Sequence, residues 1–417
     1  MNNAHIKDIK CFLKLFSIVI SAFILTACNS ADNANEIKTT VSNNAEILTK
    51  QALGEQLFHD VNLSLNRQQS CASCHNPAQG FADNRMDSLG NPLATSLGTD
   101  SKSFGGRNAP TASYAMFIPE FKWQKHARFN SQQPDYEGYV GGQFHDGRAN
   151  TLAEQAGGPP LNPVEMQMPN KAAVVERLQE NASYTQAFKN LYGKGIFVNS
   201  DNIYEAMSDA IAEFEKSSIF APFDSKYDRV LRGEEEFSFK ELSGKSLFFS
   251  QQFTNCATCH QAKPNGHAQE TFTNYEYHNI GVPTNPALNQ RLGQIVNDQG
   301  LLANPNIDDK NQLGKFKVPT LRNIAVTAPY MHNGVFNELT TVIQFYDHFL
   351  VGSKHTINPE TGAVWANAEQ PSTIAKTELK DGRKLKPAQV EQLVCFLRTL
   401  TDKRYEHLIK DNGIHCQ

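Results

Sequence analysis

The chain has 417 residues, 40% of them hydrophobic and 20% charged, with a formal net charge of −4. That length admits two or three domains with sizeable cores. The near-balanced charge leaves no basic stripe, so nucleic-acid binding has no electrostatic support.

Lys7 and Lys10 form a short basic start, and residues 12–27 then run almost without charge. The run is short for a membrane span and fits the core of a signal peptide. It ends in Leu25-Thr26-Ala27-Cys28, which resembles the bacterial lipoprotein cleavage box. This predicts a leader over 1–27 and a lipid on Cys28. Residues 28–46, rich in Asn, Ser, Ala and Thr, read as a flexible tether. The protein is thus expected on the periplasmic side of a bacterial membrane, lipid-anchored, with the outer membrane as the expected site.

Of eight cysteines, Cys11 and Cys28 belong to the leader, and Cys71, Cys74, Cys256 and Cys259 to two CxxCH motifs. Cys395 and Cys416 remain. In an oxidising compartment they are expected to pair, which pins the C-terminal tail to the last helix.

The chain repeats itself once. Leu53-Gly54-Glu55-Gln56-Leu57-Phe58 precedes the first CxxCH, and Ser243-Gly244-Lys245-Ser246-Leu247-Phe248 precedes the second. Each half closes on a helix with apolar spacing of three and four. In the first, Ile203, Met207, Ile211 and Phe214 share a face behind a cap at Ser200 or Asp201; in the second, Val390, Leu393, Val394, Leu397 and Leu400 do, with Pro387 at the start. No alternating strand pattern of useful length appears. The fold class is therefore mainly α: two cytochrome c-like domains, each with one covalent haem, over 47–232 and 233–417. Residues 222–239 read as the junction, and 279–315, rich in Gly, Pro and Asn, as a long surface loop.

In CxxCH two thiols add across the haem vinyl groups and the histidine beside them reaches the iron. A redox dithiol or zinc site would not need histidine directly after each copy. His75 and His260 are thus the proximal ligands of two haem c groups. Function turns on the opposite face of each iron, since a second strong ligand makes an electron carrier and an open face a reactive centre. After the second motif the candidates are Met331, His267, His278, His332, His348, His355, Tyr330 and Tyr346, and composition does not choose among them.

The segments LGEQLFHDVNLS, GRNAPT at 106–111, FHDGRANTLAEQAGGPPLNPVEM at 144–166 and FKVPTLRNIAVTAPYMHNG at 316–334 occur in this order around the haem motifs. In this the chain resembles the bacterial di-haem cytochrome c peroxidase and MauG family over most of its length. The resemblance implies that the haem on His75 meets peroxide, with Glu165 as the distal acid and Gln155 and Pro159 lining the same pocket. A carboxylate above an open iron can move a proton from peroxide to its leaving oxygen, which promotes cleavage to a ferryl species. In the peroxidase branch a histidine just after the corresponding turn blocks the resting iron. Here Leu97-Gly98 leads into Thr99-Asp100-Ser101 with no histidine before Arg107, so the face is expected open and no reductive activation is needed.

Counting fourteen residues from His332 lands on Tyr346, where classical peroxidases carry a methionine ligand and MauG a tyrosine; Met331 is the alternative. The family's tryptophan between the haems is here His145, either a catalytic group or a structural one. The resemblance also implies a calcium ion held by Asn108, Thr327 and Pro329, and is compatible with a homodimer. It implies reduction of hydrogen peroxide with electrons from a small periplasmic cytochrome c or copper protein. The alternative is a MauG-like enzyme that uses ferryl equivalents to oxidise side chains of a partner protein.

Overall fold

Each repeated segment folds into a helix that crosses the closing helix of its own half at a glycine. A Cβ on Gly54 would stand 1.8 Å from the Ala210 carbonyl oxygen, and one on Gly244 would stand 1.8 Å from that of Gln392. With no side chain at the crossing, the backbones meet directly and the flanking Leu53, Leu57 and Phe58, or Leu247 and Phe248, are driven into the core.

The computed structural model describes residues 47–88, 90–128, 133–261 and 269–417. The expected leader, Cys28, the tether and His267 lie outside them. In chain order the elements are α1 (Lys50–His59), α2 (Cys71–Cys74), β1 (Lys122–His126), β2 (Tyr136–Val140), α3 (Leu152–Ala156), α4 (Lys171–Gln179), α5 (Ala182–Tyr192), α6 (Ser200–Glu215), α7 (Lys226–Leu231), α8 (Phe239–Phe248), β3 (Tyr277–His278), α9 (Pro286–Leu292), β4 (Phe316–Lys317), α10 (Leu339–Asp347), α11 (Lys376–Leu379) and α12 (Pro387–Arg398). Residues Ala45–Gln417 form one compact unit. It is partly helical, with long irregular connections and antiparallel β1–β2 and β3–β4 ribbons of two strands each.

Besides a smaller cluster that holds Tyr277, Leu301 and Ile307, two large apolar cores organise the unit. One spans Ile47 to Phe220 and is centred on α1 and α6; the other spans Tyr227 to Ile414 and is centred on α8 and α12. Aromatic rings fill both. Phe58 meets Phe214 at 5.4 Å and Phe220 at 5.7 Å, while Phe248 meets Phe396 at 5.1 Å. The repeat extends to polar contacts: the Thr111 hydroxyl donates to the Gly80 carbonyl at 2.6 Å, and the Thr320 hydroxyl to that of Thr271 at 2.7 Å.

Within the second half, Arg322 is fully buried and forked on Asp228 at 2.5 and 2.9 Å. Asp402 accepts from Tyr114 at 2.5 Å and from Asn323 at 2.8 Å, which ties the two halves together.

Four sequence expectations are corrected. The cap of α6 is Asn199, whose side chain accepts from the Asp201 N–H, rather than Ser200 or Asp201. A ribbon forms at 122–140, where β2 alternates inward and outward through Tyr136, Gly138 and Val140. The expected junction contains α7, anchored by buried Tyr227 and Asp228. The expected surface loop 279–315 contains α9 and buries Leu288, Leu301 and Ile307. The expected pair Cys395–Cys416 forms a disulfide.

Gly54→Ala and Gly244→Ala each force a helix pair apart. Each should lower stability in urea or guanidinium unfolding by about 1–3 kcal/mol or more, with Gly193→Ala, which meets nothing within 4 Å, as the comparison for backbone strain alone.

Candidate functional site

Helix α2 is a single turn that carries the first motif. Ser73 accepts from the Ser70 N–H at 3.0 Å, and the His75 N–H bonds back to Cys71 at 2.9 Å. His75 Nδ1 faces the Phe81 carbonyl at 3.2 Å. A carbonyl can only accept, so Nδ1 carries the proton and Nε2 is left with the lone pair that an iron ligand needs. Burial holds the ring neutral by lowering its pKa.

The second motif has the same geometry. The His260 N–H bonds Cys256 at 2.9 Å, Nδ1 faces the Phe272 carbonyl at 3.2 Å, and burial pulls the ring down to about 4. Two thiols and one prepared imidazole at each place are a donor set that fits haem c.

Beside the first motif lies a cavity lined by Cys71, Cys74 and His75 and by Gln155, Pro159, Glu165, Met166, Ile211 and Glu215 among others. The structure thus brings Glu165, Gln155 and Pro159 into the lining of one cavity with His75. Gln155 comes from α3, which the Thr151 side chain caps. Glu165 sits in a turn whose backbone is held from both sides: its N–H donates to Asn162 at 3.1 Å and its carbonyl accepts from Thr99 at 2.8 Å. The Asn162 amide donates to Glu165 Oε1 at 2.7 Å. Burial raises the carboxyl's pKa, against the opposing effects of Arg148 and this amide. Gly98 packs so closely on the Val164 carbonyl that a Cβ would stand 2.7 Å from it. The turn expected to lack a histidine is therefore stacked on the acid-bearing segment, and His75 is the one histidine among the described lining residues.

Among the lining groups that sequence reasoning missed are Met166 and Glu215. Glu215 lies four residues after Ile211 on α6, a carboxylate on the buried face of an amphipathic helix, and that placement was the available signal. Burial pushes its pKa up to about 8. Burial, and then Glu215, in turn push the Cys71 thiol up.

His145 is not among the residues lining this cavity. Its Nε2 donates to the Asn108 carbonyl at 2.8 Å, and burial followed by Arg107 lowers it to about 4. Its ring lies 6.5 Å from Phe316, which stacks on His332 at 3.8 Å. Asp146 next to it binds Arg107 at 2.6 Å and Arg148 at 2.8 Å.

Around the second motif most candidate ligands are engaged. His332 Nε2 pairs with Glu369 at 2.9 Å, His355 Nδ1 with Asp347 at 2.7 Å, and His278 Nε2 with Glu276 at 2.8 Å. His348 bonds the Phe345 carbonyl, Tyr330 donates to Ile324 at 3.0 Å, and Met331 packs at the edge of the second core. Tyr346, on α10, is 36% exposed, and burial followed by the nearby Cys259 and Cys256 raises its hydroxyl's pKa.

Asn108 donates its side-chain amide to Ala94 at 3.0 Å and its N–H to His332 at 2.7 Å, which joins its loop to the segment holding Thr327 and Pro329. Among the described residues no cluster of three His, Cys, Asp or Glu forms a cation site, so a cation here would depend on neutral carbonyl oxygens.

A family model for di-haem cytochrome c peroxidase matches residues 49–236. The methylamine utilization protein MauG of Paracoccus denitrificans is 44% identical over 404 residues, 96% of this chain and 98% of its own. The cytochrome c551 peroxidase of Nitrosomonas europaea is 28% identical over 93% of this chain and 90% of its own. The diheme peroxidase BthA of Burkholderia thailandensis superposes with a TM-score of 0.73 at 28% identity, covering 88% of this chain and 89% of that one. The chain belongs to the di-haem cytochrome c peroxidase family, and is an oxidoreductase of the peroxidase type with two haem c groups. No helix among the described residues is long and apolar enough to cross a membrane.

Glu215 yields a prediction of stability against pH. Its folded pKa is raised from 4.5 to about 8. Between those values the native chain holds a proton that the unfolded chain releases, so stability falls as pH rises through the window. Glu215→Gln should flatten that slope in denaturant titrations, and an unchanged slope would show that Glu215 is ionised in the native protein.

Proposed function

We propose that the chain reduces hydrogen peroxide at the first motif, with electrons delivered through the second. The observation that carries this reading is a cavity whose lining brings Glu165 and Gln155 together with His75, with no second histidine among its described lining residues. A haem on Cys71, Cys74 and His75 supplies the electrons that break the O–O bond. The protein's own work is proton handling. Glu165, raised toward neutrality by burial, takes a proton from the peroxide oxygen nearest it and returns it to the departing oxygen, while the Asn162 amide keeps the carboxylate aimed. Gln155 orients peroxide from the same lining. The absence of a blocking histidine after Gly98 supports reaction without prior reduction.

The chain then has haem domains at 47–232 and 233–417, with Tyr346 opposite His260. A phenolate favours the ferric state more than a thioether does, so it lowers the second site's potential. Neutral oxygens at Asn108, Thr327 and Pro329 suit a calcium ion. Residues 12–28 support export and a lipid on Cys28. The electron donor is a small periplasmic cytochrome c or copper protein.

A second reading, oxidation of a partner protein's side chains, is favoured by Tyr346 beside the second cysteine pair and by the 44% identity to MauG. Steady peroxide turnover with reduced cytochrome c supports the first reading. Poor turnover with long-lived oxidising equivalents supports the second.

Glu165→Gln should leave both haems attached and slow peroxide reaction by about 10²–10⁴-fold in stopped-flow mixing. The wild-type rate should rise with pH about a midpoint above the ordinary 4.5, a rise the variant lacks. Equal rates in both would remove Glu165 from the mechanism. Tyr346→Phe should change the absorption and spin state of the second haem alone; an unaltered spectrum would move the ligand to Met331 or a histidine.

A further inference from the structure

The protein has two tryptophans, and they keep different company. Trp365 is half-buried, with its indole N–H on the His355 carbonyl at 2.7 Å. Its ring neighbours are Phe336, Phe345 and His348, none of which is readily oxidised. Trp123, on β1, is 51% exposed and begins a line of phenols. It meets Tyr139, its cross-strand partner, edge-on at 4.9 Å. The Tyr139 carbonyl accepts the Tyr136 hydroxyl at 2.7 Å, and the Tyr136 ring lies 5.7 Å from that of His278. The Cys259 sulfur, one of the two thiols of the second motif, lies close to His278.

The hairpin is shaped around this line. A Cβ on Gly138 would stand 2.6 Å from the Tyr136 hydroxyl oxygen, so glycine is what lets the phenol fold back under its own strand. The Tyr277 N–H donates to the same oxygen at 3.1 Å and fixes it from the other side. Core packing accounts for a buried Tyr136. It does not account for an indole left half in water at the outer end of the chain, where burial would have been worth more than exposure.

We propose that Trp123 is the surface terminus of an electron route to the second haem site, with Tyr139 and Tyr136 as its oxidisable stations and the His278 ring as the bridge past which electrons tunnel to Cys259. The proposal rests on the peroxide-reducing reading above. Indole and phenol are the side chains most easily oxidised by one electron, and electrons pass between Trp123 and Tyr139 by ring contact and between Tyr139 and Tyr136 through the hydrogen bond to the backbone carbonyl. Reduction of peroxide to two waters takes two electrons and two protons. With a reduced donor protein at Trp123, the electrons pass inward one at a time, each ring returns to its starting state, and solvent supplies the protons. Without a donor, Trp123 is itself the reductant. The indole then loses two electrons and two protons and takes one oxygen from water, so tryptophan plus peroxide gives hydroxytryptophan plus water.

The test mixes the haem-loaded full chain with hydrogen peroxide and no reductant, follows peroxide consumption, and maps added oxygen by peptide mass spectrometry. Met86, 53% exposed, reports direct oxidation by free peroxide. One added oxygen at Trp123, in excess over Trp365, supports the route. Trp123→Phe should lose that label, shift it inward to Tyr139 or Tyr136, and lose most of the turnover rate with reduced cytochrome c. Peroxide consumed with the label on Trp365 or spread without preference overturns the route and leaves the peroxidase reading standing. No haem-dependent peroxide consumption overturns both.

Discussion

Both haem motifs depend on a helix crossing with no room for a side chain. Gly54 against Ala210 and Gly244 against Gln392 let two helices touch backbone to backbone, and that contact fixes the distance between each CxxCH turn and the closing helix of its half. In the first half the consequence reaches the cavity directly. The helix that Gly54 meets is the one that carries Ile211 and Glu215 into the lining, and α3, which brings Gln155, packs on it through the Tyr204 hydroxyl at 2.7 Å from the Gly157 carbonyl. A shift of that helix would move two walls of the cavity together.

The anchors are alike, but their surroundings are not. In each half a backbone carbonyl fixes the tautomer of the histidine and burial keeps it neutral. The difference lies in what desolvation acts on across the motif. At the first it acts on carboxyls: it raises Glu165 above its ordinary value and Glu215 to about 8, where a proton can be held near neutral pH. At the second it acts on the phenol of Tyr346 and holds it protonated until something stronger than solvent competes for the oxygen. One fold repeated twice therefore offers proton chemistry at one end and a hard oxygen donor at the other.

Much of this was legible in the sequence because covalent haem attachment leaves a rigid signature and because the glycine-centred repeat lies close before each motif. The closing helices were legible from the three-and-four spacing of Ile203, Met207, Ile211 and Phe214, and the Cys395–Cys416 pair from arithmetic. The rest was hidden for physical reasons. The β1–β2 ribbon has one exposed strand, Lys122–His126, so its apolar alternation is weak. Segment 279–315 looked like solvent-exposed loop by composition. Yet Asn304 and Gln312 are buried there and satisfied by hydrogen bonds to the Asp146 carbonyl and to Asp309. Nothing near Asp228 in α7 announces its burial, because its partner Arg322 is 94 residues away. Long-range polar pairing of this kind leaves no local pattern.

His145 is where the family resemblance and the geometry bear on each other most closely. The imidazole is buried, bonded to the Asn108 carbonyl, and kept neutral by desolvation and by Arg107. A ring so placed gives up an electron far less readily than the indole the family carries there, since nearby positive charge opposes a further one. Coupling between the two sites through that position is correspondingly weaker, and oxidising equivalents must be met from elsewhere. The exposed indole of Trp123, aligned with Tyr139 and Tyr136 toward His278 and Cys259, places an oxidisable ring at the surface and not between the haems. On the proposed route electrons would be supplied from outside the molecule, which is what a turnover peroxidase requires.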